Sequence, residues 1–219
     1  MLDQDQPTKL VQGLSKPVLY PIVATATFTG ARLREILALR WSDLDVEKKA
    51  LRNRAGHRGD QGRGRTIKPP KTKRGLRTIE IDDGLLALLL KEREAYKRLL
   101  AGVPTGATVD LSLIQLPAGA LMFPSSEGEF NLTRLRDARA VSRGFCSLSR
   151  RRGFANLRFH DLRASHETIL LGKGVPVHVV AVRGGQDPAI LLRSYAKRTR
   201  KADKSAATVI GTISKGALG

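Results

Sequence analysis

The sequence predicts an α+β fold, mostly α-helical with a small antiparallel β-sheet. Three observations carry that reading. Apolar residues recur at helical spacing in most segments outside residues 48–77. The exception is too rich in glycine and proline for a helix, and short alternating stretches flank it. At 219 residues the chain holds one large domain, or a domain with an appendage. A chain of this size buries roughly 70% of its unfolded surface, which is enough for a proper core.

The elements follow in order. Pro17 and Pro21 introduce an apolar helix over Val18–Phe28, and Thr29-Gly30 breaks it. A second helix carries Leu33, Ile36, Leu37 and Leu39 on one face and is closed by Trp41, after which Ser42–Asp45 turns into an extended segment. From Lys48 to Arg77, twelve of thirty residues are Lys or Arg and only Asp60 is acidic, a local net of +11. Gly56, Gly59, Gly62, Gly64, Pro69 and Pro70 lie in this window, so it reads as strand, long basic loop, strand, with Leu76–Ile81 returning. Asp82 or Asp83 caps a Leu-rich helix over Gly84–Leu100. Ala101–Ala120 is a loop, and Leu121-Met122-Phe123 is a short buried segment stopped by Pro124. Asn131 or Thr133 starts a basic helix, and nine arginines fall between Arg134 and Arg163. Helices follow over Phe159–Leu171, Val175–Val182 and Ala189–Ala196, and a basic tail begins near Lys197.

Charge then restricts the partners. There are 39 Lys+Arg against 20 Asp+Glu, a net of +19, while 41% hydrophobic and 27% charged residues describe a globular rather than a disordered chain. An excess of this size points to a polyanion, either nucleic acid or an acidic membrane surface. The single cysteine, Cys146, excludes an internal disulfide framework, and the four histidines have no partners at metal-site spacing. Leu85–Leu90 is too short to cross a membrane, and the first residues lack the basic and apolar regions of a signal peptide. A reducing, cytoplasmic setting is therefore expected.

Four places have side chains suited to chemistry on a phosphate. In His160-Asp161-Leu162-Arg163, the first and last residues share a helix face, so imidazole and guanidinium can converge on one anion. The plainer alternative is a solvated helix start. Gly30 and Arg32 open a helix whose free N–H groups and guanidinium can face a phosphate, or else the arginines simply face water. Lys71, Lys73 and Arg74 sit on a basic turn that can protonate a leaving oxygen or merely dock on phosphates. Tyr195 is one of three tyrosines, and a helical tyrosine more commonly packs in the core or at its rim.

Order and spacing together add more. Thr29-Gly30-Ala31-Arg32 with Glu35, Leu39, Trp41 and Asp43, then Lys71-Thr72 with Arg77-Thr78-Ile79, precede His160-Asp161-Leu162-Arg163 with His166 and Gly174. Tyr195 follows, within Asp187–Ala196. In these boxes, from about Leu10 to Lys197, the chain resembles the catalytic domain of the tyrosine recombinase or phage integrase family. The resemblance implies that family's catalytic-domain fold, which is similar to the type IB topoisomerase core, over residues 1–197. The basic tail, 198–219, would dock in cis or on a neighbouring protomer.

It also implies a site-specific recombinase of a mobile element, acting on double-stranded DNA as a homo-oligomer, a tetramer on DNA, with no cofactor, metal or membrane. Tyr195 would be the nucleophile, Arg32 and Arg163 would hold the scissile phosphate, Lys71 would protonate the leaving oxygen with Lys73 as substitute, and His160 would exchange a proton with Tyr195. Phosphate contacts are expected from Arg52, Arg54, Arg58, Arg63, Arg65, Lys68, Lys73 and Arg74, and from Arg150, Arg151 and Arg152.

The sequence departs from the family pattern in two places. Where a second histidine, or sometimes tryptophan, is expected, Arg183-Gly184-Gly185-Gln186 stands. Gln186 or Gly185 takes that position, and Gln186 is favoured because its amide can donate to a phosphate oxygen. Losing one preorganised donor costs about 10²–10³ in rate, so reduced activity is expected. The family's N-terminal DNA-binding domain is also not visible, which suggests an excised catalytic domain or a relic. The alternatives are a type IB topoisomerase and a catalytically impaired integrase relic that still binds DNA.

Overall fold

The computed structural model of the chain describes residues 6–13, 18–54, 56–60, 64–68 and 75–198. Helix α1 (Gln6–Gly13) was not anticipated; it is short and holds on by burying Leu10 and Val11. Helix α2 (Tyr20–Thr29) has proline in its first turn and ends on Gly30 in the left-handed region, φ 67°. It is buried nearly all round. Thr25, Thr27 and Thr29 satisfy their buried hydroxyls by donating to the carbonyls of Pro21, Val23 and Thr25.

Helix α3 (Leu33–Ile36) is a single turn and does not run on to Leu39 as expected. The chain leaves the helix because Leu39 O accepts from Met122 N at 2.9 Å and Trp41 N donates to Ala120 O at 3.1 Å. Trp41 opens a 3₁₀ turn, Trp41–Asp43, rather than closing a helix.

Strands β1 (Leu44–Asp45) and β2 (Ala50–Asn53) follow. The segment expected as a long basic loop contains a ribbon of its own, β3 (Gly56–Asp60) and β4 (Gly64–Lys68). Its register sets Arg58 opposite Thr66 and Gly59 opposite Arg65, so no two cations face each other directly. Strand β5 (Arg77–Glu80) returns beside β2, giving the antiparallel order β1-β2-β5 with Leu51 opposite Ile79.

Helix α4 (Asp83–Leu100) is capped by Asp82, whose carboxylate accepts from Leu85 N at 3.0 Å. The next helix, α5 (Ala138–Arg151), begins later than expected. Asn131 instead closes a local turn by accepting from Thr133 N and Oγ1, and Asp137 is the cap, accepting from Arg139 N at 2.7 Å. Helices α6 (Phe159–Gly172), α7 (Val177–Gly184) and α8 (Pro188–Arg198) fall close to expectation. The main core gathers α1 to α6 around Ile22, Leu37, Leu51, Leu89, Met122 and Phe145. A smaller cluster of Val180, Ala181 and Leu191 joins α7 to α8.

Candidate active site

The first box folds as a self-braced turn. Gly30 is left-handed, and a Cβ there would lie 2.6 Å from the His166 ring, so the position excludes a side chain on two counts. Two residues on, Arg32 caps α3. Glu35 accepts from the Arg32 backbone N–H at 2.9 Å and from Arg32 Nη1 at 2.8 Å. The Arg32 side chain remains 42% exposed, and its Nη2 donates to Gly185 O at 3.2 Å.

Glu35 is buried and shared with a second guanidinium, since Arg77 Nη2 lies 2.9 Å from Oε2. Burial pushes the Glu35 carboxyl up. The hydrogen bond and charge of Arg77, followed by the bonds from Arg32, outweigh burial and hold the carboxyl below its ordinary value.

In the second box, Arg163 projects from α6 into the interior, with its side chain 5% exposed. Nη1 donates to Gly30 O at 3.0 Å and to Gly184 O at 2.6 Å, and Nε pairs with Glu167 Oε1 at 2.9 Å. Its Nη2 is buried with no hydrogen-bond partner among the described residues. Burial lowers the Arg163 pKa to about 10, with Glu167 opposing the shift and Arg32 adding to it, so the group stays charged at neutral pH.

His160, one turn before Arg163, is exposed. Partial desolvation, then the charges of Arg163 and Arg32, lower its pKa, which favours the neutral imidazole near pH 7.

The end of α7 closes the arrangement. Gly184 has no room for a side chain, because a Cβ would sit 2.9 Å from Arg163 Nη2 and 3.1 Å from Glu167 Oε1. Gly185 is left-handed at φ 64°, and Gln186 follows with its amide Nε2 buried and without a hydrogen-bond partner among the described residues. Arg183 turns back from the same terminus, its Nε donating to His166 Nε2 at 3.1 Å. A guanidinium only donates, so Nε2 must accept and the proton sits on Nδ1, which donates to Thr27 O at 3.0 Å. Burial, then the Arg183 charge, push the His166 pKa down to about 4.

Tyr195 is half-buried on α8, one turn beyond Leu191, which anchors that helix against α7. The structure thus brings Arg32, Arg163 and the Gly185–Gln186 turn together, with His160 close enough to feel both arginines.

The remaining expected residues divide. Lys71, Lys73, Arg74 and Arg63 lie outside the described residues, as does the tail beyond Arg198. Arg58, Arg65 and Lys68 have backbone positions on the β3–β4 ribbon only. Arg52 and Arg54 each face a carboxylate, Asp45 at 2.6 Å and Asp43 at 3.5 Å. Arg150, Arg151 and Arg152 are exposed at the end of α5. Arg77, Glu167, Gly184 and Arg183 were not singled out as site residues from the sequence. The signals available were the place of Arg77 in the Arg77-Thr78-Ile79 box, of Arg183 and Gly184 just before Gln186, and the four-residue spacing of Arg163 and Glu167.

The family model described as Phage integrase family matches residues 1–201. The chain belongs to this family. Among its relatives is a tyrosine recombinase XerC-like protein of Caldanaerobacter subterraneus subsp. tengcongensis, 25% identical over 185 residues. That match covers 79% of this chain and 44% of the relative, so the integrase-family chain spans less than half of that protein's length. Among solved structures, XerA recombinase is similar at TM-score 0.61 and 19% identity, covering 89% of this chain and 57% of XerA. The Tn1549 transposon integrase in complex with circular intermediate DNA is similar at TM-score 0.71 and 18% identity, covering 95% of this chain and 66% of that one. These likenesses establish the fold as that of the recombinase and integrase structures, mostly helical with small antiparallel sheets. Among the described residues, no helix is long and apolar enough to cross a membrane.

Proposed function

We propose that this chain carries the catalytic part of a site-specific tyrosine recombinase that cuts and rejoins double-stranded DNA. The observation that carries the reading is the convergence of Arg32 and Arg163, from distant parts of the sequence, on the carbonyls of Gly184 and Gly185. There they flank the turn that leads into the Tyr195 helix. Two guanidiniums around one point match the non-bridging oxygens of a phosphodiester and the charge that develops as it becomes pentacoordinate.

In the reaction, Tyr195 Oη bonds to phosphorus and the phosphorus–5′-oxygen bond breaks. The products are a 3′-phosphotyrosine and a free 5′-hydroxyl. The Tyr195 proton passes to His160, whose lowered pKa suits it to accept. Lys71, or Lys73 in its place, supplies the proton for the leaving oxygen. Attack by a 5′-hydroxyl reverses the step, and no oxidation state changes. Gln186 takes the place of the family's second histidine, and its buried amide donor, without a partner among the described residues, supports that role. On DNA the recombinase works as a tetramer, with cationic side chains of the β3–β4 ribbon and Arg150–Arg152 on backbone phosphates.

The test is a nicked duplex from DNA flanking the gene, denatured in detergent after incubation and scored for covalent adduct. A parent adduct that vanishes in Tyr195→Phe is the expected result. An adduct from Gln186→His alone would mean a site switched off at that position. Binding without an adduct from either protein would overturn the catalytic reading and leave a DNA-binding relic. Relaxation of a supercoiled plasmid without strand exchange would favour a type IB topoisomerase.

A further inference from the structure

Three consecutive carbonyls at the end of α7 each accept from a guanidinium of a different element. Arg183 O takes Arg77 Nε from β5 at 2.7 Å, Gly184 O takes Arg163 Nη1 from α6 at 2.6 Å, and Gly185 O takes Arg32 Nη2 from the start of α3 at 3.2 Å. A helix C-terminus is the negative end of the peptide dipole and leaves its last carbonyls without helical partners, which suits it to bind cations. Two of these guanidiniums are the proposed phosphate ligands. The third, Arg77, is not one: all three of its nitrogens are engaged, whereas Arg163 keeps Nη2 without a hydrogen-bond partner among the described residues.

We propose that Arg77 is a positioning residue for the recombination chemistry, an inference that rests on the reading above. Arg77 acts along two routes that meet at Arg32. It holds Glu35 at 2.9 Å, and Glu35 in turn braces Arg32 through both its backbone N–H and Nη1. It also ties down the Arg183 carbonyl, the first of the three, and so fixes where the Gly184–Gln186 turn and α8 begin. Without Arg77, Glu35 loses a cation and Gly185 is free to drift from Arg32. The proposed phosphate site then loses its geometry without losing a phosphate ligand.

The experiment measures single-turnover adduct formation on the nicked duplex, with DNA affinity and its salt dependence measured on the same protein. Arg77→Lys keeps the charge beside Glu35 but lacks the planar fork, and its cleavage rate is expected to fall about tenfold. Arg77→Gln is expected to fall about 10²-fold, the scale of a misplacement of about 1 Å. Affinity and salt slope are expected to stay within threefold. Because Arg77→Gln leaves the buried Glu35 carboxylate with Arg32 in place of two guanidiniums, the double variant Arg77→Gln/Glu35→Gln serves as a neutral pair to control for folding; its cleavage is still expected to be slow.

A purely structural role would lower the folded fraction, and with it binding and cleavage together, leaving the rate per bound molecule unchanged. That outcome, or any folded variant cleaving within threefold of the parent, overturns the proposal. A second readout needs no activity: the amide resonances of Gly185 and Gln186 are expected to shift in Arg77→Lys, and unchanged resonances also overturn it. A parent that forms no Tyr195-dependent adduct overturns the functional reading, while the resonances still report separately whether Arg77 sets the turn.

Discussion

Gly184 closes α7 directly against the Arg163 guanidinium, and filling that space with one methyl group measures how tightly the site is set. A Cβ at Gly184 would lie 2.9 Å from Arg163 Nη2, about 0.5 Å inside the 3.4 Å at which ordinary contact begins, and 3.1 Å from Glu167 Oε1. The backbone of Gly184 is helical, so alanine is not strained there and gains about 1 kcal/mol of helix propensity. Arg163 has little room to retreat, because Gly30 O and Gly184 O hold its Nη1 and Glu167 faces its Nε. Overpacking of this kind costs about 1–3 kcal/mol, so the net loss in Gly184→Ala is below about 2 kcal/mol. For a chain of this length that lowers Tm by less than about 8 °C, too little to unfold the protein at room temperature. A misplacement of about 1 Å costs about 10² in rate, so half that distance is expected to slow cleavage about tenfold. Single-turnover adduct formation at 25 °C, read beside a thermal melt, tests this. Cleavage within twofold of the parent with an unchanged Tm would show that the space is slack and that Arg163 is not held tightly.

Three further outcomes are expected. Gly30→Ala meets a backbone at φ 67° and a His166 ring 2.6 Å away, so it should lose about 2–4 kcal/mol; a Tm within 2 °C of the parent would refute that account. His166 has a folded pKa of about 4 against an ordinary 6.5, so the unfolded chain takes up its proton first, and stability is lost as pH falls from 6.5 toward 4. His166→Gln keeps a donor for Thr27 O and an acceptor for Arg183 but does not titrate, so its Tm should fall less than the parent's between pH 7 and 5; parallel curves would sink this. Replacing Arg150, Arg151 and Arg152 with alanine should flatten the plot of log affinity against log salt by about 0.9 for each phosphate left without its cationic partner, whereas an unchanged slope would place DNA elsewhere.

Much of the fold was legible because local rules decided it. Proline and Gly30 bound α2, Asp82 caps α4, and the glycines after α6 stop it where the sequence suggested. The errors fell where tertiary contacts override local preference. Helix α3 does not run on because the 120–122 segment takes the Leu39 carbonyl and the Trp41 N–H. Asn131 prefers its own turn to a helix start, and the glycine-rich basic stretch pairs with itself in a register that keeps cations apart.

By itself, the sequence determined the charge, the reach for a polyanion and the ordered boxes that carry the family resemblance, because these are properties of composition and spacing. Only the tertiary structure decided that Arg77, Arg163 and Arg32 take three successive carbonyls at one helix end, and that Gly184 and Gly30 leave room for them and for His166. The reason is physical. A buried guanidinium must find an acceptor for each donor or leave it unsatisfied, and those acceptors are backbone carbonyls that look alike in any sequence until the chain folds.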